Sequence, residues 1–159
     1  MSVASYSGPR QGGVVIGLSA VVVAIQDDDV VVLTVRPLGA SAEGLPFGPF
    51  DPLGHRTFEL AMRAFVTEQT RFTLGYVEQL YTFGDKGRDA PLADMGDLGG
   101  DISDHARVIS VGYLALATAA VDTHAPGSEW RPWSRFFPYE DWREGRPAAI
   151  WAKLNSLVD

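Results

Sequence analysis

Phe58, Ala61, Met62, Phe65 and Val66 recur at the i, i+3, i+4, i+7, i+8 spacing of an α-helix with one buried stripe. Such a stripe has to be covered by a second layer, so the chain needs a partner surface for this helix. Thr57 is placed to act as its N-cap. Glu59 and Arg63 stand four apart, in the favourable order, on its exposed side. A turn rich in glycine and proline, LPFGPFDPLG (45–54), leads into it.

Two long apolar runs offer the second layer. Val14–Ile25 is rich in β-branched residues and longer than an average strand, which predicts a run through the centre of a sheet. Gln26–Asp29 is an acidic turn, and Val30–Val35 returns as the second arm of a hairpin, ended by Pro37. A shaped loop follows over 38–55, with a short strand expected near Leu45–Phe50. Tyr76–Phe83 reads as a strand, and Arg107–Ala117 as a second long central one. Between them lies a polar loop, 84–105, whose length marks it as functional or mobile. A loop over 118–127 leads to the aromatic segment EWRPWSRFFPYEDW, and Pro147 opens a closing helix with Ile150, Leu154, Leu157 and Val158 on its inner face. Residues 1–12 read as a loose tail. The expectation is a single domain over 13–159, α+β in class, an α/β/α sandwich with a mixed central sheet.

Charge and composition narrow the function. The net charge is −7, and no basic stretch is dense enough to track a phosphate backbone, so direct nucleic-acid binding is not expected. With no cysteine, thiolate metal sites and thiol nucleophiles are excluded. The run at 13–25 is too short to span a membrane, and QDDD after it is a poor cleavage region; a cytoplasmic location is expected. His55, His105 and His124 fall in separate predicted loops and read as surface residues. Trp130, Trp133, Phe136, Phe137, Tyr139 and Trp142 are dense enough for an adenine-stacking wall or a dimer contact, or they cover a sheet edge.

The helix and the segment before it resemble the signature of the Nudix family. Gly48 matches its first glycine, Arg63 its arginine, Phe65 its apolar position and Glu68 its last glutamate; Ala64 and Thr67 stand where two glutamates would, and Thr70 replaces the final glycine. QLYTFGDKGRD (79–89) and RVISVGYLALA (107–117) resemble the ADP-ribose branch of that family, which holds ADP-ribose pyrophosphatases and Nudix-related transcriptional regulators of NAD metabolism. An insertion at Ala90–His105 lengthens the loop between them. In the regulators a winged-helix DNA-binding domain follows the Nudix part, so any such domain lies outside this chain.

Magnesium wants several oxygen ligands, and alanine at 64 supplies none, while a threonine hydroxyl at 67 is a poor substitute for a charge. The resemblance with these losses implies a catalytically inactive sensor domain. Its ligand would be ADP-ribose-like or an adenine nucleotide, its state homodimeric, with no cofactor and no metal. Arginines match diphosphate geometry with paired donors, which makes Arg36, Arg63, Arg88 and Arg107 ligand candidates, with Glu68 on the helix and Tyr81 and Asp89 from the resembling strand and loop. Plainer roles stand beside these: Arg63 pairing Glu59, Arg36 flanking a strand end, Arg107 bridging Asp104 or Asp101. Two other readings remain open. One is an active Mg-dependent hydrolase using displaced acids among Glu59, Glu68, Asp51 and Asp85; the other is a protein-interaction module without a small ligand.

Overall fold

The computed structural model describes residues 13–85, 107–121, 123, 125–143 and 145. Strands β1 (Val14–Gln26), β2 (Asp29–Val35), β3 (Phe47–Pro49), β4 (Val77–Phe83), β5 (Arg107–Leu116) and β6 (Ser128–Pro132) form one mixed sheet, and helix α1 (Phe58–Thr70) packs on it. The path runs β4-β5-β1-β2-β6, with β3 also paired to β1. β1 and β5 are parallel along ten residues, from Val14↔Arg107 to Val23↔Leu116, and the remaining pairings are antiparallel. The class is α+β, as the residue pattern predicts.

The β1–β2 hairpin turns through Asp27 and Asp28 at φ 51° and 66°. Both are left-handed, the conformation a two-residue hairpin needs and one that aspartate tolerates. Alternation along the strands then sends Leu18, Ala20, Val22, Leu33, Val111, Tyr113 and Ala115 to one face, where Ala61, Met62 and Val66 of α1 cover them. The predicted stripe is therefore the packed one, although Phe58 and Phe65 are only half-buried at its margins. Burial holds the Tyr113 hydroxyl above its ordinary pKa, and the nearby Glu59 carboxylate adds to the shift.

Thr57 caps the helix as expected, its side chain accepting the Leu60 N–H at 3.2 Å. At the other end Arg71 adopts φ 60°, ψ 11°, and its N–H donates to the Thr67 carbonyl at 2.9 Å. The fully buried Thr70 fixes this turn: its hydroxyl donates to the Val66 carbonyl at 2.6 Å and accepts the Phe72 N–H at 3.0 Å.

The sequence reading missed β6. It pairs antiparallel with β2, Leu33 opposite Trp130, and forms the edge of the sheet. Two 3-10 turns follow it, Trp133–Arg135 and Pro138–Glu140. The expected tail, the body of the 84–105 loop and the closing helix lie outside the described residues.

Candidate ligand cavity at the end of helix α1

Where α1 ends, the chain leaves a cavity of ≈540 Å³. β3 and the last turns of the helix form one wall, through Phe47, Gly48, Phe65, Glu68, Gln69 and Arg71. The segment leaving β2, Val35 to Leu38, and the Ala125–Pro126 turn form the other. Its lining mixes apolar side chains with a few charged and polar ones, the usual make-up of a small-molecule site.

The backbone around the cavity is tightly specified. Gln69 accepts the Phe47 N–H at 3.1 Å and donates to the Phe47 carbonyl at 2.6 Å, so α1 and β3 are joined by a side chain acting as a strand neighbour. Gly48 leaves room for the Phe65 ring: a Cβ there would sit 2.6 Å from it, so a larger residue forces the ring to shift. On the far wall, Arg36 donates its N–H to the Gly127 carbonyl at 2.8 Å. Gly127 has φ +80°, and a Cβ on it would lie 2.6 Å from the Arg36 carbonyl oxygen. Two glycines thus set the two walls.

The candidate residues divide. Arg36 and Glu68 line the cavity and are exposed. Arg63 does not line it: its guanidinium pairs with Glu59 at 2.9 Å and donates to the Leu74 carbonyl at 2.9 Å, locking the helix to the segment beyond it. Tyr81 is exposed on β4 with its ring against Phe83, 5.0 Å between centroids, and is not among the lining residues. Arg107 also sits away from this wall, donating to the Gly84 carbonyl through Nε at 3.0 Å and through a second guanidinium nitrogen. Arg88, Asp89, Asp101 and Asp104 lie outside the described residues. Arg71 was not a sequence candidate, yet it lines the cavity. No residue pattern marked it, since its place follows from the left-handed turn that ends α1 there.

Other expectations need correcting. His55 is not a free surface residue: it is half-buried between the rings of Phe50 and Phe65, with centroid distances of 5.7 and 5.4 Å, and its Nδ1 accepts the Asp51 N–H at 2.9 Å. His105 and His124 lie outside the described residues. The aromatic segment is not one wall either. Trp130 packs on the α1 side of the sheet against Phe72, while Trp133, Phe136 and Phe137 border a second cavity of ≈310 Å³ over Val21 and Val32, on the opposite face. That second cavity is almost wholly apolar. Beside it Glu43, with only 10% of its side chain exposed, holds Arg131 and Arg135 at 3.0 and 2.9 Å.

Comparison with solved structures identifies the architecture. The NUDIX domain of NrtR from Shewanella oneidensis, solved in complex with ADP ribose, superposes with a TM-score of 0.60 at 23% identity, over 84% of this chain and 82% of that one. The longer NrtR chain itself aligns at TM-score 0.54 and 24% identity, over 77% of this chain; this chain spans about half of it, 53%. The Ap4A hydrolase of C. elegans matches at TM-score 0.54 and 13% identity, over 92% of this chain and 99% of that one. No protein-family model matches the sequence, and no curated protein does. The chain has the Nudix fold. Among the described residues no helix is long and apolar enough to cross a membrane.

Proposed function

We propose that the chain is a catalytically inactive Nudix-like sensor domain, binding an ADP-ribose-like or adenine nucleotide ligand in the cavity at the end of α1. The observation that carries this is the composition of the cavity's lining: two arginines, Arg36 and Arg71, against a single carboxylate, Glu68, among the described lining residues. Guanidiniums recognise phosphates with paired donors, while Phe47, Phe65, Pro37 and Pro126 offer apolar surface to a base or ribose.

The magnesium that Nudix chemistry implies does not fit this donor set. Magnesium is held by several oxygens in near-octahedral geometry. Among the described lining residues only Glu68 offers a carboxylate. Of the displaced acids, Glu59 pairs with Arg63, an Asp51 carboxylate oxygen accepts the Leu53 N–H at 2.8 Å, and Asp85, just past β4, is not among the lining residues.

The NrtR neighbour, whose domain was solved with ADP ribose and whose longer chain was solved with a 27mer DNA, supports placing this chain in a regulator of NAD metabolism. In such a protein, a homodimer by the same resemblance, the ligand acts only by binding one arrangement of the assembly better than another. Calorimetric titration with ADP-ribose tests the proposal. Saturable binding with no AMP released after prolonged incubation with magnesium is expected. Magnesium-dependent AMP release that disappears in Glu68→Gln would establish the hydrolase instead.

A further inference from the structure

Three described arginines, Arg36, Arg56 and Arg71, have guanidiniums without an ion pair or hydrogen bond among the described residues; Arg63, Arg107, Arg131, Arg135 and Arg143 are all engaged. Two of the three free ones, Arg36 and Arg71, line a single cavity. In a chain of net charge −7 that is a local excess of positive charge, offset among the described lining residues only by Glu68.

The position of Arg71 adds to this. It is the left-handed residue that closes α1, at φ 60°, a site where glycine is the common choice because a side chain is disfavoured. The turn is already held by the Thr70 hydroxyl and by the Arg71 N–H, neither of which needs the arginine side chain. Arg71 therefore contributes nothing evident to the helix end that glycine would not. Its side chain is left to act in the cavity.

We infer that Arg36 and Arg71 form a two-guanidinium clamp that holds the phosphates of a diphosphate-bridged ligand without a divalent cation. The inference rests on the cavity being the nucleotide site proposed above. Each guanidinium can present two donors to phosphate oxygens, so the pair neutralises a diphosphate by itself. Magnesium, by occupying the same oxygens, would compete with the clamp.

Titrating ADP-ribose and inorganic pyrophosphate in EDTA, into the wild type, Arg71→Gly and Arg71→Gln, tests it. The wild type is expected to bind in EDTA at least as well as in magnesium. Arg71→Gly is expected to lose roughly tenfold or more in affinity for both probes, as removal of a charged paired donor does. Its unliganded melting temperature is expected to stay level or rise, since glycine suits the left-handed position. A purely structural arginine would instead leave the affinity of Arg71→Gly unchanged and lower its melting temperature. If the wild type binds and both variants bind within twofold of it, the clamp is wrong and the nucleotide site stands. Binding that requires magnesium also overturns the clamp alone. If the wild type binds neither probe under either condition, the nucleotide reading itself falls and takes the clamp with it.

Discussion

Gln69 and Phe47 are joined twice: the Gln69 carboxamide accepts the Phe47 N–H at 3.1 Å and donates to the Phe47 carbonyl at 2.6 Å. One side chain thereby takes the place of a strand beside β3 and fixes the distance between that strand and the end of α1. Gln69→Leu keeps the bulk but leaves both backbone groups of Phe47 without their partner. The expected cost is about 1–3 kcal/mol of stability, measured by urea unfolding. A change of under about 0.5 kcal/mol would mean that water replaces the contact.

Gly48 and Phe65 meet so closely that a methyl on Gly48 would lie 2.6 Å from the ring. Gly48→Ala is expected to destabilise by about 1–3 kcal/mol through overpacking. In a Phe65→Leu background the same substitution should cost less, and a double-mutant cycle reads the difference. Equal costs in both backgrounds would show that the ring is not the obstacle.

Gly127 is not among the lining residues but holds Arg36, whose N–H donates to its carbonyl at 2.8 Å. An alanine there must adopt φ +80° and also push against the Arg36 carbonyl oxygen at 2.6 Å. Gly127→Ala is expected to cost about 1–3 kcal/mol and to weaken nucleotide binding, because the Arg36 backbone moves with it. Unchanged affinity alongside lowered stability would separate Arg36 from the site.

Much of this frame was legible in the sequence because it depends on periodicity. The α1 stripe and the two long β-branched runs declare their faces locally, and the Gln26–Asp29 turn declares the hairpin. β6 was not legible: Ser128–Pro132 is short, ends in proline and owes its extension to pairing with β2 along Leu33↔Trp130. The cavity was legible in part. Glu68 and Arg36 followed from chemistry and resemblance, but Arg63 is consumed by Glu59 and the Leu74 carbonyl, a contact made by a chain segment eleven residues on. Arg71 emerges only once the helix end is seen to turn left-handed at that residue.

Acid titration offers a check far from the cavity. Hydrogen bonds from Arg143 hold the Asp141 carboxyl down at about 2, below its ordinary 3.8, and Arg143 also pairs with Asp29 at the β1–β2 hairpin. Since the folded value is depressed, any stabilisation from this exposed group is present above pH 3.8 and is lost as pH falls through about 2. Carboxyl-carbon NMR should place the Asp141 midpoint near 2 and return it towards 3.8 in Arg143→Gln. An ordinary midpoint in the wild type would mean that the pair does not persist in solution.

Binding without turnover is the central claim, and phosphorus NMR of ADP-ribose in the presence of the protein tests it most directly. The diphosphate resonances are expected to shift or broaden before any magnesium is added, and then to persist for hours after its addition. A growing AMP resonance that begins only with magnesium would contradict the claim and make this chain a hydrolase.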